Sequence, residues 1–582
     1  MIKKLFYLVP ALVLQAVFFI HHVEAKYDSL KYFEQAHIVN DRPFYLTGEY
    51  LRFAVYVIAE PAGGFSEVSR VAYVELCDST GQPAIQAKIA LQNGKGNGEF
   101  LLPMRLNSGN YFLKTYTAYA RNFGSDYYSY RQISIVNPFK QLGLPKIEEG
   151  ESATQGNHTQ FENGFLKNNV NEKSISGQLK INLAKTNFTN REEVNVKVQL
   201  PELMASAQEL TTLVSVYKYD PILEAINTGI LNRKPENEFR VGDPKFLPEI
   251  YGPILTARAT NIETKKPAEM SLIYLATHGK NPLFYTAEVN AKGYAYFEVN
   301  RLHDDQEVIL QPDTDQKIEV TFQSVYCELP VRYQVSPFLI DSTWQQLITR
   351  FSKNMQYANA FAKYMPINEA KSDIDSLVFY GKPDFIYRLD DYTRFTVMEE
   401  VLREYVTPVL VRRRKDEFYF RIVDYVEKGY FKDPPLMLVD GAPVLNANQI
   451  MELNPLRIER IEVMSKKYYL GRATFSGIVH LRSYTGDLAG VKLNENSKRM
   501  TLSGLKTKPI YHWPVYKDGN ENSPVPDFRN TLFWEFKNTE FKEGISEFNF
   551  YTSDDKGEYI IEVQVITEEG KVWKAKEKFN LK

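Results

Sequence analysis

Cysteine is almost absent. Cys77 and Cys327 are the only two in a chain of 582 residues, which excludes a disulfide-stapled scaffold, an iron–sulfur protein and a Cys-rich zinc module. An excess of charge of one sign is also missing: 70 Lys and Arg face 72 Asp and Glu, a formal net charge of −2. Nucleic acid is therefore not an expected partner, since its recognition leaves a basic excess in the composition. After residue 25 no stretch reaches the roughly 18 apolar residues that argue a membrane-spanning helix. Tryptophan is scarce at 4, whereas Tyr (38) and Phe (36) are abundant. Aromatic residues at that density favour strands. At roughly 100–200 residues per domain, the length implies several domains.

The groups that carry chemistry are scattered. Of the eight histidines, His21 and His22 fall in an apolar N-terminal segment. The others (His37, His158, His278, His303, His480, His512) have no paired spacing of a zinc site. His303-Asp304-Asp305 is read as a solvated turn rather than a cation site. No Gly-x-Ser-x-Gly elbow occurs. Asn93-Gly94-Lys95-Gly96-Asn97-Gly98 has the composition of a phosphate cradle, but it lies among strands without a following helix, so a hairpin is expected. The acidic pairs Asp390-Asp391, Glu399-Glu400 and Asp554-Asp555 carry no acid–base signature, and turn chemistry accounts for the last. No catalytic, metal or cofactor residue is assigned. The chain is expected not to be an enzyme, to need no cofactor, and to keep its two cysteines as separate packed thiols.

Residues 1–25 have the pattern of an export signal. Lys3 and Lys4 start it, Leu5 to Ile20 is apolar except for Gln15, and Val23-Glu24-Ala25 offers small residues for cleavage. The apolar run is short of the ~20 residues a span needs.

The rest of the chain divides by pattern. Residues 26–140 read as a β-sandwich, with partly alternating runs at Tyr50–Val57 and Arg70–Leu76 and turns at 61–64, 79–83 and 107–110. Residues 141–178 form a polar linker, poorest in apolar residues from Glu148 to Asn171, with sequons at Asn157 and, just beyond, Asn187. A second β-sandwich is expected over 179–244 and a third over 245–335. Residues 336–408 are a helical connector: Trp344, Leu347, Ile348, Phe351 and Met355 recur at near-helical spacing, and a second helix is expected at Phe395–Tyr405 before Pro408. Strands return over 409–495, and 496–582 reads as a C-terminal β-sandwich. Arg412-Arg413-Arg414-Lys415 is the sharpest charge run, set between Val409-Leu410-Val411 and Phe418-Tyr419-Phe420. These four are the candidate contacts for an acidic partner or an anionic surface. The simpler expectation is a solvated hairpin tip.

Three segments resemble known families. Asp41-Arg42-Pro43-Phe44-Tyr45-Leu46-Thr47-Gly48-Glu49, with Gly109-Asn110-Tyr111 and Thr117–Phe123, resembles macroglobulin-type β-sandwiches of bacterial envelopes. Leu247-Pro248-Glu249-Ile250-Tyr251-Gly252, Thr264 to Pro267 and Lys292-Gly293 are similar to carboxypeptidase-regulatory-like sandwiches, which are non-catalytic. Pro434–Val444, Leu456–Val463, Tyr469-Leu470-Gly471 and Phe475–Val479 resemble the plug domain of TonB-dependent outer-membrane receptors. The residues after Asp487 are too few for a receptor barrel, whose strands take about 9–11 residues each.

The fold class is thus mainly β and multidomain: tandem Ig-like or macroglobulin-like β-sandwiches with an inserted small α/β plug-like domain. The resemblances imply an exported protein of the periplasm or the periplasmic face of the outer membrane. Its expected role is a non-catalytic scaffold or accessory subunit of an outer-membrane β-barrel complex, for transport, secretion or outer-membrane protein assembly. Its partner would be that barrel, and any membrane association would be peripheral. The alternatives are a glycan- or peptide-binding module of the envelope, and a protease-handling macroglobulin-like protein or enzyme. A protease trap would need a Gly-Cys-Gly-Glu-Gln thioester, which neither cysteine matches.

Overall fold

A computed structural model describes residues 33–61, 63–140, 178–204, 209–225, 245–314, 316–327, 344–361, 378–517 and 523–582. The segment expected as an export signal, most of the polar linker and the sequon at Asn157 lie outside the described residues. The protein is mainly β and multidomain. Its chain forms two compact units, each discontinuous in sequence: 1–250 with 328–369 and 508–582, and 251–327 with 370–507.

The first unit opens with a β-sandwich. One sheet pairs Tyr50–Glu60 with Phe33–Asn40 and Lys95–Leu101. The facing sheet runs Phe44–Leu46, Ser129–Val136, Gly109–Tyr116, Val71–Cys77 and Pro83–Ala90. Leu51, Phe53, Val55, Val57, Val74, Leu76, Ile89, Leu113 and Ile133 fill the space between them. Alternation along the strands sends these side chains inward. Asn93-Gly94 is the tight turn before Lys95–Leu101, with both residues at positive φ. It is a hairpin, as its composition in a strand context implies.

The strands expected as a second sandwich do not close on themselves. Glu209–Lys218 lies between Thr531–Glu540 and Gly557–Ile566, antiparallel to both. Glu193–Gln199 pairs with Ile545–Tyr551 and Lys180–Leu183. Strands from 179–244 and from 496–582, read from the sequence as two sandwiches, therefore build one. In Glu193–Gln199 the alternation is complete: Val194, Val196 and Val198 are buried and the residues between them exposed.

The helix Trp344–Phe361 falls within the connector expected at 336–408 and packs in the same unit. Trp344, Leu347, Ile348 and Phe351 meet Phe44, Leu46 and Val136. On the same buried stripe, one turn further along, Asn354 donates to Asn530 (3.2 Å) and Asp555 (2.8 Å). The Asp41–Glu49 segment completes this joint. The Asp41 carboxylate accepts from Tyr45 and Thr531, both at 2.7 Å. Glu49 accepts from Asn530 at 2.7 Å and pairs with Arg42 at 3.1 Å. All of these groups are buried, so their mutual hydrogen bonds replace lost water.

The second unit holds another sandwich. Ile254–Asn261 pairs with Tyr294–Glu298 and Ile318–Phe322. The opposing sheet is Phe284–Glu288, Leu272–Thr277, Asp305–Pro312 and Lys498–Ser503. Its last strand comes from the start of the region expected as the C-terminal sandwich.

The α/β part of this unit has a five-stranded sheet ordered Phe385–Arg388, Ile458–Met464, Ile478–Ser483, Leu436–Val439 and Ala442–Val444. Leu436–Val439 and Ile478–Ser483 run parallel. Both faces of these strands are buried, which fits the continuous apolar run Leu436–Val439, while Ile478–Ser483 buries His480, Arg482 and Ser483 among its apolar residues. Asp440-Gly441 turns the hairpin, with both residues at positive φ. The Asp440 carboxylate accepts from the Ser483 N–H and hydroxyl and from the Leu488 N–H. Helices Met398–Glu404 and Ala447–Met451 cover a core of Met398, Val401, Leu402, Ile450, Ile461 and Leu481. No helix among the described residues is long and apolar enough to cross a membrane.

Candidate functional site

The basic run lies on a three-stranded ribbon of the α/β part, made of Val409–Arg414, Glu417–Asp424 and Gly429–Tyr430. The register is set by the two-residue turn Lys415-Asp416, in which Lys415 takes a φ of 56°. Val411 pairs with Phe420 and Val409 with Ile422. These four side chains are buried in the α/β core, so the ribbon has a packed back. Asn448 fixes it further, its side-chain oxygen accepting from the Phe418 N–H at 2.8 Å.

Because side chains alternate across a strand, the run divides between two faces. Arg412 and Arg414 stand on the face turned away from the core, opposite Tyr419 and Glu417 respectively. Arg421 is on that face, two residues beyond Tyr419, and Tyr430 joins it from the third strand opposite Val423. Arg413 belongs to the other face. Its guanidinium lies over the Phe418 ring, 5.4 Å from the centroid, and pairs with Asp416 at 3.2 Å. Lys415 occupies the turn. The four residues expected as one contact patch are thus two on the open face, one on the other face and one at the tip.

The open face carries three guanidiniums, two phenol rings and the single carboxylate of Glu417. Tyr419 is 37% and Tyr430 49% exposed, and the three arginines are exposed as well. Among the described residues no carboxylate lies within ion-pair distance of Arg412, Arg414 or Arg421. The Arg421 guanidinium sits 5.9 Å from the Tyr419 ring centroid, a weak cation–π contact. Tyr419 and Arg421 are the functional candidates the sequence reading left out. The signal was the period-two continuation Tyr419-x-Arg421 past the turn, visible once the register is known.

Other candidate chemistry is occupied internally. Asp304 pairs with Lys506 at 3.0 Å and accepts from the Thr507 hydroxyl, which accounts for the His303-Asp304-Asp305 loop without a cation. The two cysteines form no disulfide; Cys77 is buried and Cys327 half-buried. His480 is fully buried, with Nδ1 2.7 Å from the Tyr380 hydroxyl. That hydroxyl donates to Glu462 at 2.5 Å, and Arg460 donates to the same carboxylate. Burial holds the imidazole well below its ordinary pKa, and Arg482 and Arg460 add to the effect. No group of three His, Cys, Asp or Glu side chains among the described residues is arranged to hold a metal ion.

No family model matches the chain, and no curated protein sequence matches it. Among solved structures it aligns with the Escherichia coli alpha-2-macroglobulin activated by porcine elastase, at 10% identity and a TM-score of 0.23, over 94% of this chain and 44% of that one. The Salmonella alpha-2-macroglobulin reacted with methylamine gives 8% identity and 0.23, over 95% and 40%. A tetra-tandem repeat from the extending region of a large adhesion protein gives 8% identity and 0.12, over 94% and 99%. The chain spans less than half the length of these two macroglobulins. Similarity at these TM-scores assigns neither a family nor an activity.

Proposed function

We propose that the protein is a non-catalytic scaffold or accessory subunit at the periplasmic face of the outer membrane, docking to a β-barrel complex that transports, secretes or assembles proteins. The observation that carries this reading is the open Arg/Tyr face of the ribbon. Folding does not require three unpaired guanidiniums on one sheet face, where like charges repel. Protein interfaces, by contrast, are enriched in Arg and Tyr, which supply forked hydrogen bonding and rigid apolar area. The plug-like order of residues 434–479 and the signal-like residues 1–25 support the compartment by resemblance. Sandwich domains in tandem suit a spacer that presents such a face, although a fold alone does not name a function.

The test is purification of a chromosomally tagged protein from gently solubilised envelopes. A stoichiometric outer-membrane barrel should accompany it. Recovery of the protein alone and soluble would remove the scaffold role.

A further inference from the structure

We propose that the open face of the ribbon binds an extended acidic segment of a protein partner, with Arg412, Arg414 and Arg421 taking carboxylates around a central Tyr419. The inference rests on the scaffold reading and adds the chemistry of the contact. Three observations bear on it.

The first is charge. The face holds three guanidiniums against the one carboxylate of Glu417, and the described residues leave all three arginines without an ion pair. The surplus is local, since the chain as a whole has a formal net charge of −2. An acidic partner is its electrostatic complement.

The second is spacing. Arg412 and Arg414 are two residues apart on one strand, so they repeat at about 6.8 Å. An extended peptide presents alternate side chains at the same interval. Carboxylates at every second position of an acidic segment therefore match the arginines in register, and each guanidinium offers a fork suited to a carboxylate. Arg421 lies diagonally across from Arg412, within the ~7–8 Å of a diagonal pair.

The third is composition. A membrane surface favours flexible lysines beside apolar side chains that insert into lipid. Here the apolar members of the face, Leu410 and Val423, are half-buried in the sheet. The cations are arginines on a packed strand, and Lys415 stands at the turn. The most exposed apolar side chain of the ribbon, Val426, is 82% exposed, but it lies in the turn at the far end, held by Asp424 accepting from its N–H. A rigid Arg/Tyr platform fits a peptide better than a bilayer.

The experiment uses the full chain and a fluorescently labelled peptide of alternating Glu and Thr, with the Gln–Thr peptide as its neutral counterpart. Anisotropy should show binding of the acidic peptide that weakens with salt, and no binding of the neutral one. The variant Arg412→Ser/Arg414→Ser/Arg421→Ser should bind at least about tenfold more weakly, and Tyr419→Ser should bind measurably more weakly. Arg413→Ser/Lys415→Ser, which removes two charges from the same run but none from the open face, should bind within about twofold of the parent protein. All these side chains are exposed, so unchanged melting temperatures certify folded variants. Equal binding by the triple variant overturns the proposal, as does an equal loss in the Arg413/Lys415 pair. Binding to phosphatidylglycerol vesicles with none to the peptide also overturns it. A barrel that still co-purifies with the triple variant leaves the scaffold reading standing and defeats this one. Arginine-dependent peptide binding without a co-purifying barrel does the reverse.

Discussion

Lys114 and Glu75 face each other across neighbouring strands of the first sandwich, Nζ to Oε1 at 2.6 Å, with both side chains 2% exposed. The carboxylate also accepts from the Tyr116 hydroxyl at 2.7 Å and from the Gln86 amide at 2.8 Å. Removing one partner of such a pair strands the other charge away from water, whereas removing both strands no charge and costs the Tyr116 hydroxyl and the Gln86 amide this acceptor. Lys114→Met should therefore destabilise the first unit by about 3–5 kcal/mol. Lys114→Met/Glu75→Met should recover part of that loss. Urea unfolding followed by tyrosine fluorescence measures both. A single-variant cost below about 1 kcal/mol would mean that water reaches the pair.

Gly441 cannot carry a side chain. It sits at φ +96°, after Asp440 at φ 48°, the backbone that a two-residue hairpin needs. A Cβ there would lie 2.1 Å from Pro282 Cβ and 2.8 Å from the Thr277 carbonyl oxygen. Gly441→Ala should cost about 2 kcal/mol or more, from the left-handed backbone and from the collision together. Gly109 is the control, since nothing lies within 4 Å of its Cβ position. Gly109→Ala should change stability by no more than about 0.5 kcal/mol. Comparable losses at both positions would show that the turn yields.

The two thiols should differ in reactivity. Cys77 is 1% exposed, and burial pushes its thiol up to about 12, an effect only partly offset by Lys114. Cys327 is half-buried. Since the thiolate is the reactive species, a maleimide at neutral pH should label one thiol in the native protein and two after denaturation. Mass mapping should place the native label on Cys327. Rapid native labelling of Cys77 would contradict the packing around it.

Much of this architecture was legible in the sequence because the signals are local. Val194, Val196 and Val198 alternate into a core, and Trp344, Leu347, Ile348 and Phe351 recur at helical spacing. Asp440-Gly441 announces its own turn. Long-range pairing leaves no such trace. Nothing within Glu209–Lys218 shows that its neighbours are Thr531–Glu540 and Gly557–Ile566, more than three hundred positions away. Loop closure over that distance costs free energy that grows only slowly with length, so the intervening chain constrains the choice very little. The candidate site shows the same division. Its charge was visible as a run of four residues. Its geometry was not, because the register across Lys415-Asp416 decides which face each residue joins, and that register brings in Tyr419 and Arg421 while sending Arg413 to the other side.

His480 gives the second unit a pH dependence whose sign follows from its surroundings. It is fully buried, and the groups facing it are the Tyr380 hydroxyl, the Glu462 carboxylate 3.8 Å from Nδ1, and the guanidiniums of Arg482 and Arg460. Burial disfavours the imidazolium most, and the two arginines reinforce it, so the folded-state pKa lies well below 6.5. Above about pH 6.5 the ring is neutral in both the folded and unfolded states and costs nothing. As the pH falls below that point, the unfolded chain takes up a proton that the folded unit refuses. Stability is then lost by up to about 1.4 kcal/mol per pH unit, until the folded pKa is reached. His480→Gln removes this titrating group and should lessen the dependence between about pH 7.5 and pH 5, whatever it does to stability at neutral pH; His37 of the first unit, held down to about 4 by burial, titrates in the same sense in both proteins. Carboxylates near their ordinary pKa contribute mostly below that range, so they leave the comparison clear. Parallel pH profiles for the two proteins, measured by urea unfolding, would show that the ring is protonated in the folded unit and paired with Glu462.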